Sequence, residues 1–410
     1  MRCTRPRRIG IPIAVALAAA LAGCGKSAVR AQHGGGPAGA IAPVAAQGAV
    51  SVVTRNTARV GGADAASDAA AVARSAYPAL TAATRPQAVV VVDERNWGAS
   101  LAASVLASAP LRAPLLYSVG ATLPEVSREA LEAMRPTGAP ALGGAQVILV
   151  GSSAAVPGGY RVRAVATPSG DPAAAVAVER LLASSHGSRR RQAIVVAADA
   201  PRGLQMPAAG LAAESGAPIL FAATTGVPAA TSAALSHLRR PAIYLLGFPS
   251  IGKGTLSELA RFGAVTPISQ ASTSGEGPTP VENAIAVARF TDGVFGWGVK
   301  EPGHGLVFAN AARPLDGPAA ALLSATGDYG PLLLLDSPAA VPSALASYLG
   351  DIQPAYGRAP QYQPVRGAYN RGWLIGDESA ISPATQAEID AMLEIVPARG
   401  SSEETATPPE

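Results

Sequence analysis

One ordered pattern runs through this chain three times, with copies roughly 105 to 112 residues apart, and it restricts the possible folds more than any single motif does. Each copy opens with a glycine-containing turn and a helix: Gly61-Gly62-Ala63-Asp64 before Ala65, Ser169-Gly170-Asp171-Pro172 before Ala173, and Gly275-Glu276-Gly277-Pro278 before Val281. Asp or Pro at those places suits the free amides of a first helical turn. A continuous apolar strand follows, ending at Asp93, Asp199 and Asn310. Unbroken apolar strands that alternate with helices indicate parallel strands covered on both faces. Next come an Ala-rich helix (from Ser100, Pro207 and Pro318) and a second strand opened by Ala113-Pro114, Ala217-Pro218 and Gly330-Pro331. A helix then starts after Pro124, Pro228 and Pro342, and a third strand ends in Gly151, Gly247 and Gly376. Strand, helix, strand, helix, strand in a fixed order predicts three small doubly wound α/β modules.

The two ends read differently. A basic start, Met1 to Arg8, precedes an apolar run from Ile9 to Ala22, the length of a signal-peptide core and short for a membrane span. Leu21-Ala22-Gly23-Cys24 then resembles the lipobox of bacterial lipoproteins, which implies cleavage before Cys24 and diacylglyceryl attachment, palmitate included, to its thiol. The only other cysteine, Cys3, leaves with the leader, so no disulfide or catalytic thiol is expected. The expected organisation is a signal peptide at 1–23, a flexible linker at 24–50 carrying lipidated Cys24, repeats at 51–160, 161–272 and 273–397, and a disordered tail at 398–410. The chain holds 32 basic and 28 acidic residues. Four of the basic residues (Arg2, Arg5, Arg7 and Arg8) belong to the leader, so the remainder is balanced and carries no signal for nucleic acid as a partner.

The threefold order, the Ala/Gly-Pro second strand, the Pro helix start and the strand-Gly turn together resemble the cell wall binding type 2 repeat family, over about residues 54 to 396. The resemblance implies Rossmann-like modules packed about a pseudo-threefold axis. It also implies non-covalent binding to cell-wall glycopolymer, either an anionic secondary polymer or a glycan associated with peptidoglycan. The family's opening motif is kept in part as Arg59-Val60-Gly61-Gly62-Ala63-Asp64. Its acid at the start of the helix after strand one is kept only as Asp316, with counterparts near Ala99 and Gln205.

In open parallel sheets, ligand sites gather beyond the carboxyl ends of the strands. There Arg95 follows Asp93, Arg202 follows Asp199, and Arg313 follows Asn310, and three such guanidiniums suit phosphate or carboxylate groups of a polymer. The competing reading pairs each Arg with its neighbouring Asp or uses it to cap a helix at a module interface. An insertion at 350–371 holds Tyr356, Tyr362 and Tyr369, which either stack on sugar rings or fasten the loop to its module. Enzyme motifs fail. Gly247 to Gly254 lacks the Ser or Thr that a P-loop needs at Gly254, the histidines at 33, 186, 237 and 304 are scattered, and no serine elbow is present. Strand-end carboxylates such as Asp93, Asp199 and Asp336 have no partner at a known distance. The expectation is a non-catalytic, extracytoplasmic wall-binding lipoprotein with no cofactor and no metal, held in the cell membrane through Cys24. A lipid-tethered solute-binding protein and an envelope hydrolase are the alternatives.

Overall fold

The computed structural model describes residues 52–186, 191–247, 251–268, 277–325, 330–356, 364–366 and 369–397. The leader, Cys24, His33, the P-loop-like stretch at 248–250, Tyr362 and the tail lie outside the described residues. The element order is β1 (Thr57–Val60), α1 (Ala65–Ala76), β2 (Val89–Asp93), α2 (Trp97–Ala103), β3 (Leu115–Ser118), α3 (Glu125–Met134), β4 (Val147–Val150) and β5 (Val162–Val165). It continues with α4 (Asp171–His186), β6 (Gln192–Ala197), α5 (Arg202–Gln205), α6 (Pro207–Ser215), β7 (Ile219–Ala222), α7 (Ala229–Leu238), β8 (Ala242–Leu246), α8 (Lys253–Phe262) and β9 (Val265–Ile268). The last third comprises α9 (Pro280–Arg289), β10 (Gly305–Asn310), α10 (Asp316–Ala325), β11 (Leu332–Leu335), α11 (Ser343–Asp351), β12 (Ala355–Tyr356), β13 (Pro364–Arg366), β14 (Arg371–Ile375), α12 (Pro383–Leu393) and β15 (Val396–Pro397).

Three four-stranded parallel sheets result, ordered β3-β2-β4-β5, β7-β6-β8-β9 and β11-β10-β14-β1. The α/β modules expected from the repeat are present, and each gains a fourth strand. That strand departs from the repeat boundaries: β5 pairs with β4 and so belongs to the first sheet, although it lies past residue 160. Strand β1 pairs with β14 in the third sheet, so the first strand of the chain completes the last module. The ring therefore closes within one chain.

Alternation along the strands shows why both faces are covered. Val90 and Val92 face the central core, whereas Val89 and Val91 face an outer cluster with Leu116, Leu131 and Leu149. In the third sheet Val307 and Ala309 face inward, while Leu306 and Phe308 meet Leu345, Tyr348 and Leu393 outside. The helices after each first strand, α2, α6 and α10, meet one another about the pseudo-threefold axis. Small side chains allow that approach: a Cβ on Gly210 of α6 would lie 2.7 Å from Ser324 Oγ of α10. Three linking helices carry the chain between modules, and each packs on the edge strand of the next: α1 on β3, α4 on β7, α9 on β11. Buried Arg59 fastens β1 to the loop after β14, donating to Asp377 O at 2.7 Å, Ile381 O at 2.7 Å and Gln386 Oε1 at 2.9 Å. The insertion at 350–371 contributes β12 and β13, which join β15 in a small separate sheet. No helix among the described residues is long and apolar enough to cross a membrane.

Candidate functional site

Backbone hydrogen bonds fix which residues of the three modules correspond. The amides of Glu94, Ala198 and Ala311 each donate to the residue ending the adjacent second strand, Ser118, Ala222 and Leu335. Counting from that bond, Arg95 stands one residue on, Arg313 two and Arg202 four. The three arginines therefore occupy three different places and are not symmetry mates. The counterparts of Arg313 are Asn96 and Ala200, and those of Asp316 are Ala99 and Gly203. On the linking helices, Asp68, Ala174 and Asn283 correspond, because each amide closes the first turn onto Asp64, Gly170 or Thr279.

Module three fills its strand-end crevice with its own charges. Arg313 Nε donates to Asp316 Oδ2 at 2.9 Å, and its Nη2 pairs with Asp68 Oδ2. The same guanidinium lies 3.4 Å from Ala63 O, 3.5 Å from Gly62 O and 3.8 Å from Asp377 Oδ1. Both partner acids are buried, Asp68 fully and Asp316 to 1% exposure. Asp68 Oδ1 also accepts the Gly62 amide at 2.6 Å. Burial raises the Asp68 carboxyl to about 6, and burial together with the charge of Asp68 holds Asp316 well above the usual carboxylate range. One guanidinium faces two buried carboxyls, so a shared proton resolves the charge imbalance. Asn310, the strand-end residue beside them, is structural: its Nδ2 donates to Ala380 O at 2.9 Å and its Oδ1 accepts from Ala312 N at 2.9 Å.

At module one the same crevice is open. The order β3-β2-β4-β5 sends the chain to opposite sides of β2, and the gap between the carboxyl ends of β2 and β4 is the switch point where such sheets bind ligands. A cleft of about 610 Å³ lies there. Asp93, Arg95, Asn96 and Trp97 form its β2 side, Gly151 its β4 side, and residues 167–171 with Arg202 its outer wall. Arg95 grips Asp93 as a fork, Nη2 to Oδ2 at 2.6 Å and Nε to Oδ1 at 3.0 Å. That bond holds the Asp93 carboxyl below its ordinary range. Asn96 caps α2 by accepting from Ala99 N at 3.0 Å. Trp97 is buried and donates Nε1 to Gln205 Oε1 at 2.7 Å, tying module one to module two. Arg202 lies over the Trp97 ring, 5.5 Å from its centroid, and among the described residues has no carboxylate in ion-pairing range.

The other sequence candidates are dispersed. Asp199 Oδ2 accepts from Thr224 N at 2.8 Å, which lowers its pKa, and it stands at the corresponding edge of module two. The loops flanking that edge at 248–250 and 269–276 lie outside the described residues. Tyr356 is half-buried in β12, and Tyr369 is exposed on the approach to β14. His237 stands with Nδ1 3.5 Å from Glu179, and no group of three metal-ligating side chains occurs among the described residues.

The chain is similar in fold to two solved structures from one bacterium. Cwp6 from Clostridium difficile matches with a TM-score of 0.59 and 16% identity, over 83% of this chain and 48% of that one. Cwp8 from the same organism matches with a TM-score of 0.57 and 15% identity, over 83% of this chain and 52% of that one. The chain thus spans about half the length of these solved structures. No protein-family model and no curated protein matches it.

The sequence expected Arg95, Arg202 and Arg313 at equivalent strand ends of three modules; the structure instead brings Arg95 and Arg202 to one cleft with Asp93 and leaves Arg313 in another, and Asn96, Trp97, Thr167 and Asp171 of that cleft were not among the candidates. A tryptophan in a strand-end turn, in a chain with only three, was the available signal. Asp68 was hidden because an acid in a first helical turn ordinarily serves the helix alone.

Proposed function

We propose that this protein is a non-catalytic, wall-associated lipoprotein of the cell envelope, tethered to the extracytoplasmic membrane face through Cys24, whose module ring binds cell-wall glycopolymer. The observation that carries the reading is the open switch-point cleft of module one, where a guanidinium–carboxylate fork, an amide, hydroxyl groups and a second guanidinium seated on Trp97 converge. Sugar hydroxyls offer donors and acceptors side by side, which Arg–Asp forks and Asn amides match, while acidic substituents suit Arg. The sequence resemblance to cell wall binding repeats and the fold likeness to Cwp6 and Cwp8 support the same reading.

The test is co-sedimentation of the full-length protein, in mild detergent, with purified cell walls and with walls stripped of secondary polymer by acid. Pelleting with intact walls and its loss on stripping is the expected result. Failure to pellet with either would overturn the polymer reading and favour a solute binder.

A further inference from the structure

Resting on the polymer reading, we propose that two pseudo-equivalent clefts of the ring are unequal by design: the chain's own Arg313 fills the module-three cleft, and ligand enters at module one, where Asn96 stands in its place and Arg202, without an ion pair among the described residues, presents its guanidinium to an acidic group of the glycan.

The correspondence rests on backbone bonds rather than on residue type. Arg313 and Asn96 donate their amides to equivalent strand-end carbonyls, those of Asn310 and Asp93, each at 2.9 Å. Gly376 and Gly151 end the equivalent third strands, both with positive φ. A Cβ on Gly376 would come within 3.5 Å of the Arg313 guanidinium, so that group lies against the strand-end turn. At the counterpart turn, the atoms nearest a Cβ on Gly151 belong to the side chains of Thr167 and Asn96. Asn96 is shorter than Arg313, and its Nδ2 donates to Thr167 Oγ1 at 3.4 Å rather than to a carboxylate. The two acids that anchor Arg313 are absent as well, because Ala174 replaces Asp68 and Ala99 replaces Asp316. Module one therefore has neither the guest nor its anchors, and a cleft lies at that place.

The charges left in the cleft define the ligand class. Asp93 is engaged by the Arg95 fork, and Asp171 Oδ1 accepts the Gly98 amide at 3.2 Å. Arg202 lies over a ring face and, among the described residues, has no ion pair, so its guanidinium is available to a carboxylate or phosphate. Asn96, Thr167 and Ser169 supply hydroxyl and amide partners beside it. The ligand is accordingly a glycan whose repeat carries one acidic group next to free hydroxyls.

Three variants of the full-length protein decide this in the wall co-sedimentation assay, each with a thermal melt. Asn96→Arg reinstates the module-three guest in the module-one cleft, Arg202→Ala removes the free cation, and Asp377→Asn alters the rim of the filled cleft. Asn96→Arg and Arg202→Ala are each expected to raise the wall concentration for half-binding at least about tenfold, and Asp377→Asn to leave it within about twofold. If Asn96→Arg fails to fold, the exposed Arg202→Ala change decides alone. Wild-type affinity in Arg202→Ala, or in a folded Asn96→Arg, overturns the inference while the polymer reading stands. Absence of pelleting by the wild type overturns both.

Discussion

Asp68, Arg313 and Asp316 form a buried cluster whose protonation governs how firmly α1 is held to module three. The titratable groups that face it are Asp377 after β14, 3.8 Å from the guanidinium, and the buried Tyr117 on β3, whose hydroxyl is raised by burial and then by the charges of Asp316 and Asp68. Both cluster acids are raised by burial, so the folded chain binds these protons more tightly than the unfolded one. Their contribution is complete below the ordinary Asp value and is lost as pH rises, through about 6 for Asp68, with Asp316 shifted in the same direction. Asp93 and Glu394 are lowered by the Arg95 fork and by the Asn56 amide, respectively, and act oppositely, losing their contribution only in acid. Urea unfolding should therefore show stability falling as pH rises from about 4 to about 6, by on the order of 1–3 kcal/mol. Asp316→Asn, which mimics the protonated acid, should flatten that slope; an unchanged slope would contradict the shared proton. At this scale the sequence exposed single candidates but not their relations. The three arginines follow their strands at different offsets, and only the backbone register reveals that Arg313 corresponds to Asn96.

Among the elements, those marked by Pro and Gly were legible. Pro124, Pro228 and Pro342 each cap the helix they were expected to begin, and Gly151, Gly247 and Gly376 take the positive φ that a strand-to-loop reversal requires. The fourth strands were not legible. β5 is four residues long, half-exposed and interrupted by Arg163, and β9 contains Pro267, so neither has the apolar run that identified the inner strands. A glycine at another junction was read only as part of a Gly-Pro strand opening. A Cβ on Gly330 would fall 1.6 Å from the Gly305 carbonyl oxygen, a backbone clash that no rotamer relieves. Gly330→Ala should cost at least about 2 kcal/mol in denaturant unfolding, because β11 must move away from β10. A cost within experimental error would show that the strand opening is looser than its packing indicates.

For the whole molecule, module count and order were readable because each unit repeats its own local signals. Closure was not, since β1 and its partner β14 lie at opposite ends of the chain and neither carries a mark of the other. Closure places the last linking helix, α1, between modules three and one, and so gives the third crevice Asp68, one of the two acids that hold Arg313 there, while the first stays open. The asymmetry that the polymer reading depends on is thus a property of the ring rather than of any one repeat. Hydrogen–deuterium exchange of the full-length protein, with and without polysaccharide released from walls by acid, tests this most directly. The expected footprint is slowed exchange at 93–98, 151–152, 167–171 and 202–205, with 310–317 and 376–378 unchanged. No protection anywhere, or protection centred on 310–317, would contradict it.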